Sequence, residues 1–363
     1  MTKQQFFFGI LFIFYVTSAE ACRYTIREIG FSTLSKVTYV LYKIDQNSSQ
    51  FTQQQVHAFS ESNIKTYGFN LSEHASHPIV NYVIEKNLSL PAYVLMDPDD
   101  RIINLTGNGS FNSMTDVTLN SPIQKEFMAE LPTIYASVLL IEGSILYENQ
   151  IAKEQIVKNC EQLVNVMPNM PKQVEKGPNL KVISSENFDV EKVLLWSLGI
   201  DEIPEHPMVF VFYGKGRIMG EAIGFEGIKR GDVFKHLSII GADCECGLDR
   251  KWMLGYQVPL NWPNTLRQGL SDRLGFDVDN PMILAEMSRI LAIENKSPKN
   301  PDGVSFEPIV IDLDEEFDDI PTIEHKKVSK EEGIHSGEMM LYSFLILIGV
   351  LSIGAFLILK KKT

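Results

Sequence analysis

PAYVLMDPDDRIINLTG (91–107) and PMVFVFYGKGRIMGEAIG (207–224) decide the fold. In both, a proline opens a five-residue apolar run. A four-residue turn follows, Asp97-Pro98-Asp99-Asp100 in one copy and Tyr213-Gly214-Lys215-Gly216 in the other. Arg-Ile then opens a second short run, so Pro91 to Arg101 and Pro207 to Arg217 have the same separation of ten. Runs rich in Val, Ile, Phe and Tyr around a Gly/Pro/Asp turn read as β-hairpins.

The flanks of the two hairpins also correspond. VTYVLYKI (37–44) and ASVLLIEG (136–143) are buried-strand candidates. The first is followed by FTQQQVHAFSESNIKTYGF (51–69), which reads as helical. The second is followed by NQIAKEQIVKNCEQLVNVM (149–167), which puts Ile156, Cys160, Leu163 and Met167 on one helical face. A strand, LKVIS (180–184), and a helix, VEKVLLWSLGI (190–200), come next in the second half. After the hairpins lie SPIQKEFMAEL (121–131) and IKRGDVFKHLSII (228–240), both with helical periodicity. Each half therefore reads strand, helix, strand, helix, hairpin, helix, with the second strand of the first half indistinct.

That order resembles the thioredoxin-like fold, twice in tandem. The resemblance implies an α/β chain and a cis peptide bond before each hairpin proline, Pro91 and Pro207. Thioredoxin-like enzymes carry Cys-x-x-Cys after the first central strand, at a helix N-terminus that lowers the thiol pKa. Here the corresponding stretches are DQNSSQ (45–50) and SILYENQ (144–150), and neither contains cysteine. The resemblance thus implies two modules without the family's dithiol chemistry, of the kind used for binding or spacing. Ser48, Ser49 and Tyr147 keep a peroxidase-like or glutathione-transfer-like variant open; as helix caps and surface residues they have an ordinary role too.

The ends of the chain bear on compartment. Residues 1–21 carry Lys3, an apolar run from Phe6 to Val16 and Ala19-Glu20-Ala21, the pattern of a secretory signal peptide. Cleavage would leave Cys22 first, where a lipoprotein signal also places cysteine, although Ala19 is not that signal's usual large aliphatic residue. Met339 to Leu359 is 21 residues without a charge, long enough for a transmembrane helix, and Lys360 to Lys362 then mark the cytoplasmic side of a four-residue tail, 360–363. Residues 302–338, with twelve acidic side chains against three lysines, read as a solvated tether. The EF-hand spacing and turn glycine are missing from DLDEEFDD (312–319).

The expected organisation is therefore a signal peptide (1–21), thioredoxin-like domain 1 (22–132), thioredoxin-like domain 2 (133–242), a CxC segment with a helical extension (243–301), the acidic linker, the membrane span and the tail. The extension contains Trp252, Tyr256 and Trp262, and 264–294 reads as two helices, suited to packing on the second module or to a partner surface. The bulk faces an extracytoplasmic compartment, a bacterial periplasm or, with the lysines 360 and 361 as a retrieval signal, the lumen of the endoplasmic reticulum. Sequons at Asn47, Asn70, Asn87, Asn104, Asn108 and Asn295 matter only in the second case.

A formal charge of -13 and no basic run interleaved with aromatics argue against nucleic acid. No phosphate loop, no Gly-x-Ser-x-Gly elbow and no paired-carboxylate site is present, and no cofactor is implied. Of the four cysteines, Cys160 reads as core. Three readings stand for Cys244-Glu-Cys246: a redox pair, part of a metal site, or a structural disulfide from Cys22 to Cys244 or Cys246. A metal needs three or four ligands, and His74, His77 and His206 supply no matching pair, so no metal is expected. The leading function is an extracytoplasmic, membrane-anchored binding or scaffold protein acting on an envelope protein partner or client. The alternative is a membrane-tethered thiol-disulfide oxidoreductase using Cys244 and Cys246.

Overall fold

The computed structural model describes residues 23–34, 36–46, 50–72, 74, 76–107, 110–242 and 254–292. The signal peptide, Cys22, Ser48, Ser49, Cys244, Cys246, Trp252, the acidic linker, the membrane span and the tail lie outside the described residues. No helix among the described residues is long and apolar enough to cross a membrane.

The protein is α/β with two mixed sheets. The first contains β1 (Tyr39–Asp45), β2 (Ile64–Asn70), β3 (Ala92–Met96) and β4 (Ile102–Asn104) in the order β2-β1-β3-β4. The second contains β5 (Ser137–Ile141), β6 (Asn179–Ile183), β7 (Met208–Tyr213) and β8 (Arg217–Ile218) in the order β6-β5-β7-β8, with β9 (Ile223–Gly224) also on β7. In each sheet the first two strands are parallel, and the hairpin adds to the first strand antiparallel. Strand order and orientation are thus the same in both sheets, as the paired hairpin motifs imply.

The segment 51–69 departs from its helical reading. It contains a helix, α2 (Gln53–Phe59), and then β2. Thr52 and Gln55 form a capping box that starts the helix. Ser62 Oγ donates to Phe59 O and accepts from Ile64 N, which ends it. Ile64, Thr66, Tyr67 and Phe69 then favour extended chain. The segment 228–240 is likewise two helices, α8 (Phe225–Arg230) and α9 (Asp232–Ile240), divided at Gly231, whose φ of 81° is a left-handed conformation. The remaining helices are α1 (Ile26–Ile29), α3 (Pro78–Glu85), α4 (Phe111–Leu119), α5 (Pro122–Glu130), α6 (Leu146–Val166), α7 (Lys192–Ser197), α10 (Asn264–Leu274) and α11 (Pro281–Ala292).

Both faces of the second sheet are covered, so β5 (SVLLI) is buried throughout. Val138 and Leu140 pack with Ile156 and Leu163 of α6 and Leu237 of α9. Leu139 and Ile141 pack with Phe127 of α5 and Leu194 and Leu195 of α7. The other side of α7 serves the first sheet, where Val193 and Trp196 join Tyr39, Leu41 and Leu95. A short helix between two sheets therefore contributes to two cores, and buried Glu191 beside it takes Ile123 N at 2.8 Å at the start of α5.

Two segments cross the expected domain boundaries. Residues 23–34, placed by the sequence in the first domain, pack in the core of the second: Tyr24, Ile26 and Ile29 lie with Val138, Val211 and Tyr213. Arg27 donates to the carbonyls of Leu131, Pro132 and Ile134. The extension packs as well. Ile218 N donates to Tyr256 O and Val258 N to Gly216 O, so residues 256–258 run along the second hairpin. Beyond them Asn63 of the first half bonds Val258 O and Leu260 N, and Trp262 N reaches Glu61 O. The extension is a strap that ties both halves together.

Candidate binding site

The end of the second sheet positions the site. After β5 the chain runs Glu142-Gly143-Ser144-Ile145 into α6. Gly143 has to be glycine: a Cβ there would lie 2.5 Å from Glu205 O and 2.6 Å from the carbonyl carbon of His206. That close approach lets Ser144 N donate to Pro204 O (2.9 Å) and Ile145 N to Glu205 O (3.3 Å). Asn149, one turn into α6, clamps Gly143 from both sides, accepting from its N–H at 2.9 Å and donating to its carbonyl at 2.8 Å.

On this frame Glu148 and His206 meet. Glu148 stands in the first turn of α6, where a carboxylate is favoured by the helix dipole, and is only 5% exposed. Its Oε2 lies 2.8 Å from His206 Nδ1, and its Oε1 accepts from the Tyr147 hydroxyl at 3.3 Å. The hydrogen bond to Glu148 holds the exposed His206 imidazole above its ordinary pKa, so in the charged ring Nδ1–H donates to the carboxylate.

This pair borders an open groove of about 1320 Å³, whose other walls are Gly220–Gly227, Arg230 and Lys235. Apolar side chains stand exposed on the chain next to the lining residues Glu148 and Pro204, outside the lining itself. Leu146 is 80% and Tyr147 66% exposed; Ile203 precedes the bonded Pro204, and Ile151 follows Tyr147 by one helical turn. Large exposed apolar groups close together in the chain mark a candidate interaction surface.

Ser144 Oγ, the hydroxyl nearest the bend, donates to Glu205 O rather than to an imidazole, so no serine–histidine relay forms. The Tyr147 hydroxyl is turned to Glu148. The one described cysteine, Cys160, is buried on α6, and burial pushes its thiol up to about 12, far from the thiolate that exchange chemistry needs.

The other sequence candidates divide. Leu90–Pro91 is a cis peptide. Pro207 corrects the expectation: among the described residues Leu90–Pro91 is the only cis peptide. The carbonyls of Pro204 and Glu205 are committed to the bend after β5, and the chain enters β7 directly at Met208. Cys22, Cys244 and Cys246 lie outside the described residues. Their described neighbours do meet, because Ile26 N donates to Ala242 O at 3.1 Å. His77 caps α3 by accepting from Ile79 N, and His74 stacks on Phe69 at 4.6 Å, which gives both histidines structural work. Among the described residues no group of three or more His, Cys, Asp or Glu is placed to hold a metal ion.

Sequence reasoning passed over the Glu148–His206 pair. Its signal was a histidine directly before the motif proline together with an acid in the segment 144–150. No family model, curated protein or solved structure matches the chain.

Proposed function

We propose that the chain is a membrane-anchored, extracytoplasmic binding or scaffold protein built on two non-catalytic thioredoxin-like modules. Its occupant is an apolar segment of an envelope protein partner or client, seated in the groove bordered by Glu148 and His206. The observation that carries this reading is the exposed Leu146 and Tyr147 at the mouth of a bend stiffened by Asn149, with Cys160, the one described cysteine, buried on α6. Rigid presentation of aromatic and aliphatic anchors favours binding, because little side-chain or loop entropy is lost on association. The matching strand order of the two sheets supports the tandem assignment.

The membrane anchor rests on residues 339–362 and the compartment on residues 1–21. In that compartment Cys22 and either Cys244 or Cys246 form a structural disulfide. The contact between Ile26 and Ala242 supports it, since four and two residues of chain, at up to about 3.6 Å each, separate this contact from Cys22 and Cys244. Mass mapping of the mature chain should find that linkage; a Cys244–Cys246 bridge with exchange activity would support the oxidoreductase instead.

The binding reading is tested by Leu146→Asp combined with Tyr147→Asp. Partner recovery should fall at least tenfold in the double variant while its melting temperature stays within about 2 °C of the parent, as surface changes allow. Unchanged recovery would remove the groove from the function.

A further inference from the structure

A second cavity lies away from the groove, where the strap, the turn of the second hairpin and the N-terminal segment converge. It is small, about 40 Å³, and its lining is cationic: Lys36, Lys215, Arg217 and Arg267 against one carboxylate, Glu61. In a chain of net charge -13, such a concentration of positive charge in one cleft needs a physical reason.

Two of these cations, Arg217 and Lys215, are only partly answered by opposite charge among the described residues. Arg217 is fully buried and spends its donors on backbone carbonyls, those of Gly30, Leu34 and Gly255. These satisfy its hydrogens but carry no opposite charge. Lys215, 5% exposed, has Asp279 as its ion-pair partner at a long 3.4 Å. Burial pushes the Lys215 ammonium down to about 8, and the neighbouring Arg267 and Arg217 charges add to the shift. Glu61 is engaged by Asn264 N at 3.1 Å.

Two donors in the same lining have no acceptor at all: Trp262 Nε1 and Arg267 Nε are buried without a hydrogen-bond partner. Trp262 is 5% exposed. A buried N–H left unpaired is costly, so two in one cleft point to an occupant. Water would find acceptors here in Glu61 and the Ser32, Thr33 and Ser62 hydroxyls, so it is the surplus of positive charge rather than hydrogen bonding that favours an anion over water. An acceptor-only, negatively charged occupant answers the unpaired N–H groups and the surplus charge together. The volume admits one ion of few atoms.

We infer that this cleft is a binding site for a single small anion of halide or carboxylate size, held by Trp262 Nε1, Arg267 and Lys215. The ion would join the strap and the hairpin turn, and through Lys36 the segment that leads into β1. Occupancy would then couple the anion content of the compartment to how firmly the two halves are tied.

The test uses sodium bromide and sodium chloride as probes on the full chain. In crystals soaked with bromide, one anomalous peak is expected in contact with Trp262 Nε1 and Arg267 Nε. In solution, replacing gluconate by chloride at equal ionic strength should raise the melting temperature by about 3 °C. That rise should disappear in Arg267→Gln and shrink in Trp262→Phe, which keeps the packing and loses the donor. The result that overturns the site is a water in the cleft with bromide only on the outer surface. A chloride-specific rise that persists unchanged in both variants would overturn it equally. If Arg267→Gln does not fold, the bromide peak and Trp262→Phe decide.

Discussion

Arg101 and Arg217 hold the same place in the two hairpin motifs, and each is used to bind something outside its own sheet. Arg101 pairs with buried Asp97 at 2.7 Å and lies over the ring of Trp196, the residue of α7 that enters the first sheet's core. Arg217 reaches two carbonyls of the N-terminal segment and one of the strap. Replacing Arg217 by Met would leave Leu34 O and Gly255 O, in two different segments, without that donor, while Gly30 O keeps the Lys215 N–H. We expect a loss of about 3 kcal/mol in urea unfolding, with the cost falling on the junction. A loss below about 1 kcal/mol would show that the junction is held by apolar packing alone. The repeated Arg-Ile was legible in the sequence; the role of the arginine was not. Pattern reading compares each copy with itself, whereas both guanidiniums work across long separations, to Ser197 in one case and to Gly30 in the other.

Among the elements, those with a strong local signal follow the sequence closely. The two hairpins, β5, α6, α10 and α11 form where periodicity and turn residues put them, because their own residues determine the choice. Failures occur where a few side-chain bonds decide the outcome. Ser62 ends α2 and lets β2 form within a stretch of helical periodicity, and Gly231 divides α8 from α9. The bend from β5 into α6 is the element on which the groove depends. Gly143→Ala would drive a methyl into the backbone of Glu205 and His206, so we expect a loss of about 2 kcal/mol and a displaced His206. Gly224→Ala is the control. A Cβ there meets nothing within 4 Å, and because Gly224 is the N-cap of α8 the expected loss is at most about 1 kcal/mol, below that of Gly143→Ala. Equal behaviour of the two variants would mean that the bend tolerates the displacement.

In the molecule as a whole, the two sheets are interlocked rather than strung in series. The N-terminal segment packs in the second core, α7 serves both cores, and the strap returns from the second hairpin to Asn63 of the first half. The sequence yields the order of elements in each half, because that order is local. It hides the exchange of segments between halves, which depends on contacts more than 180 residues apart in the chain. The same gap concealed the groove, because Glu148 and His206 are 58 residues apart and meet only through the bend at Gly143. An interlocked scaffold offers a stiff groove edge, which suits the binding role proposed above.

Site-specific photo-crosslinking in the native host tests that role most directly. A photoreactive residue replaces Leu146, two residues before the groove-lining Glu148, and in a parallel strain it replaces Val190, which is 49% exposed in the segment leading to α7. The expected result is a discrete crosslinked protein species from position 146, none from position 190, and loss of the species when Tyr147 is changed to Asp. Equal, diffuse labelling from both positions, or none from either, would contradict the assignment of the groove as the working surface.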